Sequence, residues 1–132
     1  MQNIAKGTFE VKATPVAGEG DGQDPLMGRL VLDKEFKGDL EAKSMGQMLA
    51  AQTEVKGSAG YVAVEKVTGS LKGLTGSFVF LHKGTMNAGS QELSVTVVPD
   101  SGTGQLKGLS GSLKIIIEGG KHFYEFNYEL PS

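Results

Sequence analysis

Apolar and polar residues alternate along most of this chain, and the alternation stops at short glycine-rich breaks. Over residues 8–12, Phe9 and Val11 fall on one side, continued by Ala13, and Thr8, Glu10 and Lys12 on the other. That is the period of a half-buried strand. Residues 26–36 read as a second strand with Leu30 and Leu32 on its inner face. Lys34 breaks that face and Phe36 restores it, which predicts a bulge over 34–37. A bend at Gly38 leads into a short third strand over 40–43. Further strands are predicted over 60–67, 78–81, 92–98, 113–118 and 123–130. Gly119-Gly120 is a favourable two-residue hairpin turn, so the last two strands are expected to be antiparallel neighbours. Residues 15–25, rich in Gly, Asp and Pro, read as a long loop. One stretch departs from the two-residue period. Met45, Met48 and Leu49, at spacings of three and four, predict a short helix or crossover near 44–52.

The chain also repeats itself. Gly69-Ser70-Leu71-Lys72-Gly73-Leu74-Thr75-Gly76-Ser77-Phe78 returns 35 residues later as Gly104-Gln105-Leu106-Lys107-Gly108-Leu109-Ser110-Gly111-Ser112-Leu113, with seven of ten positions identical. Phe36-Lys37-Gly38 is a fainter echo one period upstream. Strand-turn-strand units with short connections and no βαβ alternation describe an all-β chain. About eight such strands must hide their edges, and closing the sheet does so most completely. The expected architecture is one domain over 1–132, a small antiparallel eight-stranded closed barrel. A two-sheet sandwich is the alternative. An eight-stranded barrel is just wide enough to be filled by side chains or to hold one small ligand.

Composition narrows the function classes. At 132 residues the chain is long enough to bury a sizeable core. It has no cysteine, so it carries neither disulfides nor thiolate chemistry. Its formal charge of −2 implies no basic face and argues against nucleic acid as a partner. Residues 1–7 hold one lysine and no apolar run, so no signal peptide or membrane span is expected there, and the cytoplasm is the expected location. The 20 glycines punctuate apolar runs instead of clustering, as turns and strand bends require.

Candidate chemistry is sparse. The only two histidines, His82 and His122, share strand faces with Phe78 and Phe80 and with Tyr124, Phe126 and Tyr128 respectively. Glu65 shares a face with Tyr61 and Ala63. If those faces point inward, Tyr61, Glu65, His82, His122, Tyr124 and Tyr128 line one concavity, and a carboxylate beside an imidazole is suited to proton transfer. A hydrogen-bonded histidine at the end of a strand, beside a turn, is the stronger explanation of either imidazole. Two imidazoles and no thiol fall short of a structural zinc site, and no cofactor or metal is expected. The acidic, glycine-rich residues 18–24 lack the closing glutamate of a calcium loop. The repeated Leu-Lys-Gly-Leu stretch does not end in the Lys-Ser/Thr of a phosphate loop.

Gly76-Ser77-Phe78-Val79-Phe80-Leu81-His82-Lys83-Gly84, Val97-Val98-Pro99-Asp100-Ser101-Gly102-Thr103-Gly104 and His122-Phe123-Tyr124-Glu125-Phe126-Asn127-Tyr128 together resemble blocks of the bacterial DUF3224 family. Earlier stretches, Gly7-Thr8-Phe9, Phe36-Lys37-Gly38-Asp39-Leu40 and Tyr61-Val62-Ala63-Val64-Glu65, fit in order. The resemblance implies a barrel similar to that of allene oxide cyclase, assembled as a homo-oligomer, with histidine and glutamate positions matching His82, His122 and Glu65. It implies no reaction. Members often carry an early tryptophan that is missing here. Three functional readings follow: a barrel binding a small, partly apolar molecule; an isomerase or cyclase-like enzyme using Glu65 and His82; and a structural homo-oligomer with a filled interior. Membrane is not an expected partner.

Overall fold

The computed structural model describes residues 3–16 and 26–131. Eight strands follow one another: β1 (Asn3–Pro15), β2 (Met27–Gly38), β3 (Leu40–Gln52), β4 (Ala59–Leu71), β5 (Leu74–Asn87), β6 (Ser90–Val97), β7 (Ser110–Glu118) and β8 (Lys121–Glu129). Each pairs antiparallel with the next, and β1 pairs with β8, which closes the barrel. The sheet therefore has the expected architecture. Most of the proposed 15–25 loop and all of the acidic 18–24 stretch lie outside the described residues.

Alternation sets the inside. Phe9, Leu32, Phe36, Leu40, Ala42, Val67, Leu71, Phe78, Phe80, Val95, Val97, Leu113, Tyr124, Phe126 and Tyr128 are buried, while most intervening positions face solvent. Burying a large apolar side chain contributes about 1.5–3 kcal/mol, so this interior drives folding. The Gly119-Gly120 turn forms as expected, with φ of 57° and 78°, joining Glu118 to Lys121. Left-handed backbone at both positions is what a two-residue hairpin needs, and glycine supplies it without steric cost.

Two expectations are corrected. Residues 44–52 are neither helix nor crossover; they continue β3 as a regular strand. Both edges of this strand are paired, from Phe36↔Ala42 to Met27↔Ala51 on one side and from Leu40↔Leu71 to Gln52↔Ala59 on the other. Met45 and Leu49 face solvent while Met48 turns inward, so the apparent helical spacing mixes the two faces of one strand. Gly46 fixes the close approach, since a Cβ there would lie 2.3 Å from the Val64 carbonyl oxygen. The one short helical turn among the described residues is a 3₁₀ turn at Gly104–Leu106. The proposed bulge over 34–37 is also absent, because the ladder to β1 runs unbroken from Gly38 to Leu30. Lys34 keeps the parity of Leu32 and Phe36 and points into the barrel.

The two ends of the barrel differ. At one end, residues 98–109 run beside the start of β5 and hydrogen-bond to it: Ser77 N–H donates to Thr103 Oγ1 at 3.0 Å and Val79 N–H to Ser101 Oγ at 3.0 Å. This connection drives Leu106 and Leu109 into the core. The opposite end, where the β3–β4 and β5–β6 connections lie, has no such plug among the described residues. The wall is thinnest between β6 and β7, which share only the Thr96↔Ser112 pair.

Candidate functional site

Four polar side chains from four consecutive strands meet inside this apolar barrel. Lys34 on β2 lies opposite Ser44 on β3, and Glu65 on β4 lies opposite Gly46 and Phe80. His82 on β5 lies opposite Ala63, one inward step beyond Glu65. Diagonal neighbours on one sheet face are within reach of long side chains. Lys34 Nζ donates to Glu65 Oε2 at 2.7 Å, and Ser44 Oγ donates to Glu65 Oε1 at 3.0 Å. His82 Nε2 stands 2.6 Å from the same Oε2. This short contact pairs the imidazole with the carboxylate in the barrel interior. The Lys34, Glu65 and His82 side chains are 7%, 0% and 4% exposed, and Lys34 Nζ also sits 5.2 Å from the Phe9 ring centre.

The electrostatics follow from burial and these contacts. Burial pushes the Glu65 carboxyl up, but the His82 and Lys34 contacts together outweigh it and hold the group below the ordinary carboxylate range. Glu65 is therefore anionic at neutral pH. Its charge is balanced by Lys34 within the barrel. Such a pair seldom adds net stability relative to a well-packed apolar core, because desolvating both ions offsets their attraction. Ala63 opposite His82 leaves room for the imidazole.

Tyr61 caps the cluster on the side of the β3–β4 and β5–β6 connections. It lies opposite Gly84, so His82 has Glu65 as one diagonal neighbour and Tyr61 as the other. The ring lies over Gly84, where a Cβ would stand 2.4 Å from Tyr61 Cε1. Burial first, and the Glu65 charge second, raise the Tyr61 hydroxyl above its usual range. Above the ring is a recess of about 160 Å³ lined mainly by Met48, Ala50, Tyr61, Gly84, Met86 and Gln91.

Of the six candidate residues, Tyr61, Glu65 and His82 are thus brought together. His122 is half-buried and packs on Phe9, with ring centres 5.0 Å apart, beside an open surface groove. Tyr124 fastens β8 to the β2–β3 turn: its hydroxyl accepts from Leu40 N–H at 2.9 Å and donates to the Lys37 carbonyl at 2.9 Å. Burial raises it above the usual tyrosine range, although the Leu40 hydrogen bond pulls the other way. Tyr128 packs on Phe126 with ring centres 5.3 Å apart. The sequence reading missed Lys34 and Ser44. Lys34 did carry a signal, since it stands between Leu32 and Phe36 at their spacing. Among the described residues no group of three or more His, Asp or Glu side chains is placed to hold a metal ion, and no helix is long and apolar enough to cross a membrane.

With the site in view, comparison with known proteins places the chain. The family model described as "Protein of unknown function (DUF3224)" matches residues 5–128. The chain belongs to this family. A DUF3224 protein of unknown function from Shewanella oneidensis MR-1, solved by crystallography, is 48% identical and superposes with a TM-score of 0.92, covering 100% of this chain and 99% of that one. No curated protein matches. The DUF3224 barrel therefore has a known architecture with no reaction attached, and the chemistry has to be argued from the side chains.

Proposed function

We propose that this barrel binds a small, partly apolar molecule at the end where the β3–β4 and β5–β6 connections lie, with the polar part of the molecule directed at His82 and Glu65 beneath Tyr61. The observation carrying this reading is the buried Lys34–Glu65–His82 cluster beside Tyr61, whose ring also lines a largely apolar recess. Buried ionic groups cost several kcal/mol each to desolvate, and convergent polar groups beneath an apolar recess are a common form of small-molecule site. The recess is smaller than the ~300–1,000 Å³ of typical ligand pockets, which restricts the occupant to a small molecule or to one that protrudes. Among the residues first considered, His122, Tyr124 and Tyr128 have other packing partners. The reading therefore rests on Tyr61, Glu65 and His82, with Lys34 added. Mass spectrometry of an organic extract of the purified protein tests it: a stoichiometric small molecule lost in a Tyr61→Trp variant supports the site. Protein that carries nothing, and that shows no binding of any probe near Tyr61, refutes it.

The 2.6 Å His82–Glu65 contact favours a second reading, an isomerase or cyclase-like use of the pair for proton transfer on the bound molecule. Solvent deuterium entering a bound compound in the wild-type protein, and failing to enter with Glu65→Gln, is the expected result of that activity. Assembly into a homo-oligomer has separate support. Met45, Leu49, Val62, Val64 and Leu81 lie exposed on the outer face of β3–β5, with Leu49↔Val62 and Val64↔Leu81 as direct cross-strand pairs. A contiguous exposed apolar patch is a common mark of association. Val64→Lys is expected to yield monomers in light scattering.

A further inference from the structure

We infer that a second copy of this chain seats on the outer face of β2–β5 about a two-fold axis. The axis lies along the row Val31, Gln47, Val64 and Leu81, and Arg29 of each copy pairs with the partner's Asp33. The inference rests on the homo-oligomer reading above and specifies the interface and its symmetry.

The ladders lay this face out as three parallel rows. The middle row runs Val31, Gln47, Val64, Leu81. One flanking row is Arg29, Leu49, Val62, Lys83, and the other is Asp33, Met45, Lys66, Val79. Alternate residues of a strand share a face, so all three rows point out of the barrel. The apolar members are well exposed: Met45 is 64%, Leu49 58% and Val64 48% accessible. A second sheet face about 10 Å away covers both patches at once and removes them from water.

Charge selects the axis. A half-turn about the middle row exchanges the flanking rows, so Leu49 meets the partner's Met45 and Val62 meets the stem of the partner's Lys66. Arg29 then meets the partner's Asp33, and two-fold symmetry makes that contact twice. Among the described residues neither Arg29 nor Asp33 forms an ion pair, and Lys12, opposite Asp33 on β1, forms none either. Both charges are therefore free for a partner, and a guanidinium matches a carboxylate in shape as well as sign. Axes parallel to the strands do worse. Along β4 the axis sets Lys66 against the partner's Lys66, and between β3 and β4 it sets Arg29 against the partner's Lys83. Along β3 it brings Asp33 to the partner's Lys66, but turns Leu81 onto the partner's Thr14 and Val79 onto the partner's Lys12.

The chain has no cysteine, so introduced thiols on the full chain report the axis directly. A short bis-maleimide should cross-link Leu81→Cys protomers to each other, because Leu81 lies on the axis. Met45→Cys alone should not cross-link, whereas a mixture of Met45→Cys and Leu49→Cys protomers should. In sedimentation equilibrium, Arg29→Asp sets two pairs of acids face to face and should weaken dimerisation about tenfold. Adding Asp33→Arg to that variant should restore the wild-type affinity. Cross-linking of Met45→Cys alone without Leu81→Cys, failure of the double variant to recover, or an assembly of odd subunit number overturns the proposed axis while leaving association intact. A wild-type chain that stays monomeric up to its solubility limit overturns the homo-oligomer reading as well.

Discussion

The two ends of this barrel are built from the same alternating strands but filled in opposite ways. The closed end is apolar, completed by Leu106 and Leu109 from a connection that hydrogen-bonds to the start of β5. The other end, at the β3–β4 and β5–β6 connections, rests on an ion pair, an imidazole and a phenol with no hydrogen-bond partner among the described residues. The difference separates two demands on a small barrel. One end supplies the stability, through apolar burial and satisfied polar atoms such as the Tyr124 hydroxyl. The other end holds groups whose desolvation costs more than an apolar filling would, and whose hydrogen-bonding capacity the protein does not exhaust.

The repeat makes the same point within nearly identical sequence. The first copy forms the β4–β5 hairpin around Lys72-Gly73, both in left-handed backbone. The second copy begins as the 3₁₀ turn at Gly104–Leu106 and enters β7 only at Ser110. Gly104 lies so close to Thr75 that a Cβ would stand 2.9 Å from its carbonyl oxygen. Seven shared residues of ten therefore keep a left-handed glycine at Gly73 and Gly108 but neither the turn around it, since Lys72 has φ of 47° and Lys107 φ of −59°, nor whether Leu71 or Leu106 reaches the core from a strand.

The comparison between the ends can be broken by experiment. Largest is Glu65→Ala, which leaves Lys34 buried without its counter-ion and is expected to cost about 3–5 kcal/mol in urea unfolding. Its sharper counterpart is the combined replacement Lys34→Met, Glu65→Leu and His82→Leu, expected to be neutral or stabilising by up to about 4 kcal/mol while abolishing ligand retention. A strongly destabilised triple variant would mean that the Lys34–Glu65–His82 end is structural like the other one. Leu106→Ala is expected to cost about 2–5 kcal/mol, as a core truncation does, with ligand binding at the far end unchanged.

Next comes Tyr124→Phe, which leaves the buried Leu40 N–H without its acceptor and should cost about 1–3 kcal/mol by the same unfolding measurement. Acid dependence separates the ends further. The folded Glu65 carboxyl lies below its ordinary value of 4.5, so its stabilising contribution is complete above that pH and is lost as pH falls through the depressed folded value. Melting temperatures measured from neutral pH to pH 3 should fall less steeply for Glu65→Gln than for the wild type, while Leu106→Ala should keep the wild-type slope. Smallest is Tyr61→Phe, whose hydroxyl has no partner among the described residues. It should change stability by no more than about 0.5 kcal/mol, so any large effect would place Tyr61 in the framework instead of the site.

Strand periodicity, glycine punctuation and the Gly119-Gly120 turn carried the closed eight-stranded barrel, because a period of two with short connections leaves few other ways to bury an inner face. That Glu65 and His82 point inward was also legible, since parity fixes which face a side chain takes. Lys34 shows where parity was outweighed by expectation: its position was inward by the same rule, but a lysine on an apolar face invited a bulge. What tertiary structure alone decided is adjacency across strands. Register and tilt bring residues 34, 44, 65 and 82 to one point, and they send Tyr124 to the β2–β3 turn and His122 to Phe9. Local sequence contains no information about that offset, because it is set when the sheet closes on itself and every ladder must match at once.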